Sequence, residues 1–224
     1  MRLRFLGHSG MQLVAAGTEV VIDPYISGHP NTPVTLDELA PDLVVITHAH
    51  GDHWGDTEAI AGASGATVVS SAEIAGYAAD RGLKSHAMNI GGAHTFGACR
   101  VKFTPAWHSS SFPDGSYGGM PMGVILELAG QRIYHAGDTA LFEDMKLIGR
   151  GGLDLALLPI GDNYTMGPED ALAAVELLQP KRVVPMHYDT FDLLSQDAVA
   201  FASAVRSRTS AECEVLRPGE TIDL

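Results

Sequence analysis

The chain has 224 residues, of which 46% are hydrophobic and 18% are charged. This composition is typical of a folded globular protein and excludes a chain that is disordered throughout. Lys and Arg together number 14 and Asp and Glu 27, which gives a net charge of −13. We therefore expect no extended nucleic-acid-binding surface, because such a protein repels polyanions.

Several signals of other protein classes are missing from the sequence. No apolar run approaches the ~18–20 residues of a membrane span, and no signal-peptide core follows the first residues. The two cysteines, Cys99 and Cys213, are too few for a disulfide framework. Because no linker or shift in composition divides the chain, we predict a single domain over residues 1–224, cytoplasmic and without a membrane partner.

Short apolar or alternating segments predict strands, and longer periodic segments predict helices. In chain order, the predicted elements are strands Arg2–Leu6, Met11–Ala15, Glu19–Ile22 and Leu43–Ile46, helix Thr57–Ala63, strand Thr67–Ser70, helix Ala72–Asp80, strands Arg100–Thr104, Met122–Leu128, Arg132–Tyr134 and Leu155–Leu158, helix Pro168–Leu178 and strand Arg182–Val184. Strands come first and then alternate with helices, which favours β-sheets with helices outside them.

A dense group of metal-ligand residues directly follows the fourth predicted strand. Residues 47–53 read Thr-His-Ala-His-Gly-Asp-His, which brings His48, His50, Asp52 and His53 within six residues. His48 and His50 can converge on one ion, whereas Asp52 and His53 point toward a second. Imidazole and carboxylate ligands without thiolate suit zinc, with manganese and iron as alternatives. The other interpretation is a solvated histidine-rich turn.

Three further candidate ligands each follow a predicted strand, which argues against a solvated turn. They are His108, Asp138 and His187. Strand ends that meet at one edge of a sheet can deliver such side chains to a shared cleft. The seven candidates would suffice for two ions that share one bridging carboxylate.

These motifs resemble the metallo-β-lactamase superfamily of binuclear metallohydrolases, and within it a group of small metal-dependent hydrolases. The resemblance extends over essentially the whole chain and includes residues 5–9, 22–24, 47–55, 104–111, 134–139, 158–161, 164–169 and 185–188. It implies an α/β fold, α+β in some schemes. This fold is a four-layer αβ/βα sandwich with two facing mixed β-sheets, helices outside and metals at one edge.

The resemblance also implies how the ligands are divided between two divalent metal ions. One ion would be held by His48, His50 and His108, the other by Asp52, His53 and His187, with Asp138 bridging both. A hydroxide shared by the ions would attack a carbonyl or phosphoryl centre.

Four residues around this motif are candidates for supporting or catalytic roles. Asp52 would orient the nucleophile and move protons. Asp23 either braces the histidine loop, as the resemblance suggests, or is an ordinary turn residue before Pro24. His8 and His135 are candidate catalytic residues that contact substrate or protonate the leaving group, although a lone histidine is more often structural.

This fold supports many reactions, so the substrate has to be inferred from the site. We expect a metal-dependent hydrolase that acts on a small-molecule substrate such as an ester, lactone or phosphodiester. The alternatives are a phosphodiesterase or nuclease acting on nucleic acid or phospholipid, and a non-catalytic metal-binding scaffold. The net charge disfavours nucleic acid, and the complete ligand set disfavours a scaffold. The apolar content is compatible with a homo-oligomer.

The sequence also suggests which residues line the cleft. Because they lie close in sequence to candidate ligands, we expect residues 109–111, 117–119 and 163–166 to do so. These segments combine hydroxyl groups, aromatic rings and glycines.

Overall fold

A computed structural model describes residues 1–224, whose strands form two seven-stranded β-sheets. From edge to edge, the first sheet contains β14 (Thr221–Asp223), β1 (Arg2–Gly7), β2 (Gly10–Ala15), β3 (Thr18–Ile22), β4 (Leu43–Val45), β5 (Thr67–Ser71) and β6 (Ser85–Met88). The second contains β13 (Glu212–Cys213), β12 (Arg182–Met186), β11 (Leu155–Pro159), β10 (Gln131–His135), β9 (Met122–Leu128), β8 (Cys99–Pro105) and β7 (Ala93–Phe96).

Six helices cover the outer faces of the two sheets. They are α1 (Gly51–Trp54), α2 (Thr57–Ser64), α3 (Ala72–Ala79), α4 (Met145–Gly149), α5 (Pro168–Leu178) and α6 (Ala198–Arg208). The first three pack on the first sheet and the last three on the second. The order helix, sheet, sheet, helix confirms the predicted four-layer sandwich. No helix combines the length and the apolar character that crossing a membrane requires.

Both sheets follow the same plan, although no repeat is visible in the sequence. In the first sheet, β14, β1, β2 and β3 pair antiparallel, and β3 to β6 continue parallel. In the second, β7 to β10 pair antiparallel, and β10 to β13 continue parallel. Parallel strands have their carboxyl ends at one edge of a sheet, and the crevice outside that edge is where α/β folds bind ligands.

The apolar strands are buried on both faces because each sheet has a helical layer on one side and the other sheet on the other. In β11, Leu155 and Leu157 point into the apolar layer between the sheets, whereas Ala156 and Leu158 pack under the helices. We call the layer between the sheets the central layer; it also contains Phe103. This arrangement explains why the sequence shows continuous apolar runs here rather than alternation.

The structure contains elements that the sequence analysis did not predict. The edge strands β6 and β7 have four residues each, of which those of β6 are mostly half-buried and those of β7 mostly exposed. Their sequences lack a clear burial pattern, and they form by pairing with β5 and β8. Helix α6 did carry a signal: Asp197 caps it by accepting a hydrogen bond from Ala200 N at 2.8 Å. Its buried residues are Ala198, Phe201, Ala202 and Val205, which have helical spacing.

Phe103 is fully buried in the central layer, so truncating its side chain should destabilise the protein. We expect Phe103→Ala to lower the free energy of unfolding by about 3–5 kcal/mol, because a cavity replaces the ring. Val199→Ala, at a position on α6 that is 66% exposed, should change it by less than about 0.5 kcal/mol. Urea unfolding followed by circular dichroism measures both. Equal effects of the two substitutions would contradict this packing.

Candidate metal centre

The histidine loop begins where β4 ends and passes into a single helical turn. Ile46 N donates to Val69 O at 3.1 Å, which extends the sheet pairing by one residue before the chain leaves the edge. His48 and His50 then lie in the loop, whereas Asp52 and His53 lie on α1. The two pairs of side chains nevertheless stay close, because the His48 and His53 rings lie 4.0 Å apart between centroids.

The first group of donor atoms belongs to His48, His50 and His108. All three lie within 4.8 Å of one another, and His48 Nε2 is 3.0 Å from His50 Nδ1. Two nitrogens bound to one tetrahedral zinc ion at its usual bond length are about 3.3 Å apart. The spacing of this group therefore fits a shared ion.

The second group contains Asp52, His53 and His187, joined by His8. Their donor atoms also lie within 4.8 Å of one another. The group draws on the first turn of the chain, on α1 and on the residue that follows β12, so three separate segments meet here.

Asp138 lies between the two groups. Its Oδ2 is 3.0 Å from His187 Nε2, 3.5 Å from His108 Nε2 and 3.9 Å from His48 Nε2. Its Oδ1 is 3.3 Å from His53 Nε2. One carboxylate thus faces nitrogen donors of both groups.

Several buried polar atoms at this centre have no hydrogen-bond partner. Six buried side-chain atoms of the whole chain lack one, and four belong to these donors: His53 Nε2, Asp138 Oδ1, and Nδ1 and Nε2 of His187. A buried polar atom without a partner destabilises a fold. A bound cation would satisfy His53 Nε2, Asp138 Oδ1 and one nitrogen of His187, so the donor set fits a metal centre.

Asp23 braces the histidine loop from behind. Its carboxylate accepts hydrogen bonds from Thr47 N at 2.8 Å, Thr47 Oγ1 at 2.6 Å and His53 Nδ1 at 2.8 Å. Because Thr47 Oγ1 donates to Asp23, it can only accept from His48 Nδ1, which is 3.0 Å away. Both imidazoles are therefore oriented with Nε2 toward the centre, as metal-bound histidines require. Asp23 thus holds Thr47 and His53 of the histidine loop in place through its carboxylate.

The electrostatics of the buried centre favour the ligand forms of most of these groups. Burial and the neighbouring His53 hold the pKa of His48 well below its usual value, so its imidazole is neutral. Burial alone would raise the pKa of Asp138, but His187 and His53 hold it well below its usual value. His53 behaves differently. Burial alone would lower its pKa, but the neighbouring carboxylates of Asp138 and Asp23 raise that pKa well above the usual value. A metal ion bound at His53 would compete with a proton for its imidazole.

Three residues at the centre adopt the left-handed backbone conformation, which non-glycine residues rarely do. The φ angles are 53° for His8, 43° for Asp23 and 56° for His187. Strain of this kind persists where the surrounding structure over-determines a conformation, and it concentrates at functional sites. Next to His187, a Cβ on Gly161 would lie 2.2 Å from the His187 carbonyl oxygen, so only glycine fits there.

The structure does not bring His135 to the cleft. Its side chain is fully buried; Nε2 donates to Ser9 O at 2.9 Å, and Nδ1 accepts from Gly137 N at 3.1 Å. Both nitrogens of the imidazole are thus engaged by the backbone, and His135 is not among the residues that line the cleft described below. It instead fixes the turn that leads to Asp138.

His8 lies at the centre but is not exposed to the cleft, since only 1% of its surface is accessible. Its Nε2 donates to Asp52 Oδ2 at 3.1 Å, and its Nδ1 accepts from Thr190 Oγ1 at 2.9 Å. Its carbonyl oxygen accepts from His187 N at 2.8 Å. Burial and then His187 lower the pKa of His8 to about 4, so the neutral ring makes these contacts. His8 therefore positions two of the candidate ligands.

Comparison with known proteins agrees with this geometry. A family model described as a β-lactamase superfamily domain matches residues 18–188. The chain belongs to the β-lactamase superfamily. The family predicted from the histidine motif is thus confirmed.

Relatives of this superfamily member cover its full length. A UPF0173 metal-dependent hydrolase of Thermus thermophilus is 56% identical over 100% of this chain and 99% of its own. Igni18, a metallo hydrolase of Ignicoccus hospitalis, is 40% identical, with a TM-score of 0.91 over 99% of this chain and 97% of its own. The superfamily member is therefore a metal-dependent hydrolase.

A more distant structure shares the fold alone. CmlA, a diiron β-hydroxylase from Streptomyces venezuelae, is 15% identical, with a TM-score of 0.80 over 100% of this chain and 54% of its own. Since a β-hydroxylase shares this sandwich, the β-lactamase superfamily fold does not by itself specify hydrolysis.

The donor atoms open into a cleft of about 330 Å³. Its lining residues are His50, Asp52, His108, Ser109, Asp138, Tyr164, His187, Phe191 and Leu194. Of the segments predicted to line it, only Ser109 and Tyr164 do so; residues 110–111, 117–119, 163 and 165–166 do not. Phe191 and Leu194 were missed. Their position shortly after His187 is the only signal in the sequence that could have indicated them.

The bracing role of Asp23 can be tested on the metal affinity of this superfamily member. We expect Asp23→Asn to lower zinc affinity by about 10–100-fold, because His53 loses the carboxylate that orients it. Competition with a chromophoric chelator measures the affinity. Asp56→Ala is the control, because Asp56 accepts hydrogen bonds from Ile26 N and Ser27 N and contacts no histidine side chain. A wild-type affinity in Asp23→Asn would contradict the bracing role.

Proposed function

We propose that this chain is a binuclear metal-dependent hydrolase that acts on a small-molecule substrate. The observation that supports this proposal best is the position of Asp138, whose two oxygens face donors of both groups at 3.0–3.9 Å. A carboxylate with donors on both sides suits a bridge between two cations.

In this proposal the ligands are divided as the resemblance implies. His48, His50 and His108 hold one ion, Asp52, His53 and His187 hold the other, and Asp138 contacts both. The donor atoms of each set lie within 4.8 Å of one another, which supports the division, and a third set of His48, His53 and Asp138 connects the two. Zinc is the ion we propose, with manganese and iron as alternatives, because nitrogen and carboxylate donors accept all three.

When bound, two such ions supply Lewis acidity and lower the pKa of a water molecule toward ~7. The protein's part is to hold its donors in a buried, fixed arrangement. Asp52, whose side chain is 28% exposed at the cleft, orients the attacking water and accepts its proton. His8 keeps Asp52 in place through the 3.1 Å hydrogen bond.

The size of the cleft supports a small substrate. Its volume of about 330 Å³ is near the lower end of the range of roughly 300–1,000 Å³ found for small-molecule sites. An ester, lactone or phosphodiester of modest size fits this space. A nuclease is disfavoured, because none of the nine lining residues is Lys or Arg and phosphate backbones are bound mainly through such cations.

A non-catalytic scaffold is also disfavoured. The buried donors without partners and the left-handed residues destabilise the protein, and a scaffold function gives no reason for that cost.

The cellular setting remains part of the proposal. Cys99 and Cys213 are both free, and burial raises the pKa of their thiols to about 11 and about 12 respectively. Two unreactive thiols suit a reducing cytoplasm. Neither a membrane partner nor nucleic acid is expected, and self-association into a homo-oligomer remains a prediction.

Metal analysis of protein purified without chelator tests the proposed function. We expect about two ions per chain, and hydrolysis of at least one ester, lactone or phosphodiester that EDTA abolishes and zinc or manganese restores. Absence of stoichiometric metal after incubation with either ion would overturn the binuclear centre. Full metal occupancy without turnover of any substrate would favour a non-catalytic metal-binding scaffold. Turnover of phosphodiesters alone would favour a phosphodiesterase.

The proposed division of ligands predicts different losses for two substitutions. Asp138→Ala should remove both ions and all activity, because one carboxylate serves both positions. His53→Ala should retain about one ion per chain, held by the donors of the other position. Mass spectrometry of the metal content after gel filtration measures this. Identical metal loss in the two variants would contradict the division.

A further inference from the structure

We infer that the cleft selects a neutral carboxylic ester or lactone with an apolar acyl chain or aryl group, and that Phe191 binds this apolar part. The inference rests on the proposed hydrolytic function and specifies its substrate class. Three observations support it: the position of the exposed apolar side chains, the contacts that fix Phe191, and the absence of Lys and Arg from the cleft.

Exposed large hydrophobic side chains are concentrated on three loops that leave the edge of the sheets at the metal centre. Six of the nine in the chain are on loops 106–121, 160–167 and 187–197: Trp107, Tyr117, Met120, Tyr164, Phe191 and Leu193. Single exposed apolar residues are ordinary, but a concentration beside a cleft marks a binding surface for an apolar group. Of these six, Tyr164 and Phe191 line the cleft itself.

Phe191 is held in place although 42% of its surface is accessible. Its ring lies 5.6 Å from the ring of His8 and 6.3 Å from that of Tyr25, measured between centroids. The loop that carries it is closed by a hydrogen bond of 2.9 Å from Asp189 N to Leu194 O. A ring fixed in this way loses little conformational entropy when it binds an apolar group.

Leu194 is a second apolar side chain from the same loop that lines the cleft. It is fully buried in the protein yet borders the cleft next to His187. Phe191 and Leu194 thus form one wall, and Tyr164 lies on the loop that follows β11. An apolar substituent that contacts these side chains lies in the same cleft as the donor atoms.

Apart from the proposed metal ions, the side chains of the cleft offer no positive charge to a substrate. Its lining contains two carboxylates, Asp52 and Asp138, and neither Lys nor Arg. Sites that bind phosphate esters or carboxylates usually contribute such side chains, because guanidinium and ammonium groups pair with the anionic oxygens. A phosphodiester would find no side-chain cation here, and the net charge of −13 repels it at long range.

Hydrolysis of this substrate class needs only water as a co-reactant. Water adds to the acyl carbon, the bond from that carbon to the alkoxy oxygen breaks, and one proton passes to the leaving oxygen. The products are a carboxylic acid and an alcohol, or one hydroxy acid from a lactone.

The test uses the full chain loaded with zinc and p-nitrophenyl esters of acetate, butyrate and octanoate, with bis(p-nitrophenyl) phosphate for comparison. We expect kcat/KM to rise about tenfold from acetate to octanoate as more apolar surface is buried. Phe191→Ala should remove this rise, mainly through KM, and Phe191→Leu should restore most of it. Leu147→Ala, at a position on α4 that is 46% exposed, is the matched control and should behave like the wild type.

Binding of methyl octyl ketone, measured by calorimetry, separates this inference from the proposed function. Ketone binding that Phe191→Ala abolishes, without turnover of any ester, supports the apolar site and overturns the proposed ester hydrolysis. Ester turnover that is independent of chain length and unchanged in Phe191→Ala overturns the inference and leaves the hydrolase standing. Faster cleavage of the phosphate diester than of every ester also overturns it.

Discussion

One buried carboxylate, that of Asp23, organises the centre on which the rest of the structure depends. It accepts hydrogen bonds from Thr47 and His53 and, through the Thr47 hydroxyl, determines which nitrogen of His48 carries the proton. A charged group with no exposed surface is stable only when its partners are complete. The same hydrogen bonds that satisfy Asp23 therefore orient histidines of both donor groups.

The fold makes this network possible because loops of both sheets meet at one edge. Asp23 follows β3 and the histidine loop follows β4, while Asp138 and His187 follow β10 and β12 of the other sheet. The two sheets pack through an apolar cluster, and the candidate ligands collect where the strands end. His8 ties the sheets together there, since its side chain contacts Asp52 and its carbonyl accepts from His187.

The chemistry depends on the side chains of these loops rather than on the sandwich. A diiron β-hydroxylase shares the fold at 15% identity, whereas the full-length relatives at much higher identity are metal-dependent hydrolases. In this chain the donors are nitrogens and carboxylates, and the cleft beside them has apolar walls without a cation. Within a common fold, the loops therefore carry the candidate ligands and the side chains that line the cleft.

The sequence by itself determined the family, the fold class and the seven candidate ligands, because a histidine motif after an apolar strand is a local pattern. The continuous apolar runs of β4 and β11 were equally readable, since burial on both faces leaves a direct mark on composition. Only the tertiary structure shows the surroundings of His8 and His135, because their partners Asp52 and Ser9 are distant in the sequence. It also decided that Phe191 and Leu194 line the cleft, and that the polar segments of β6 and β7 are strands. In each of these cases the cause is a contact between residues far apart in the chain, which no local pattern records.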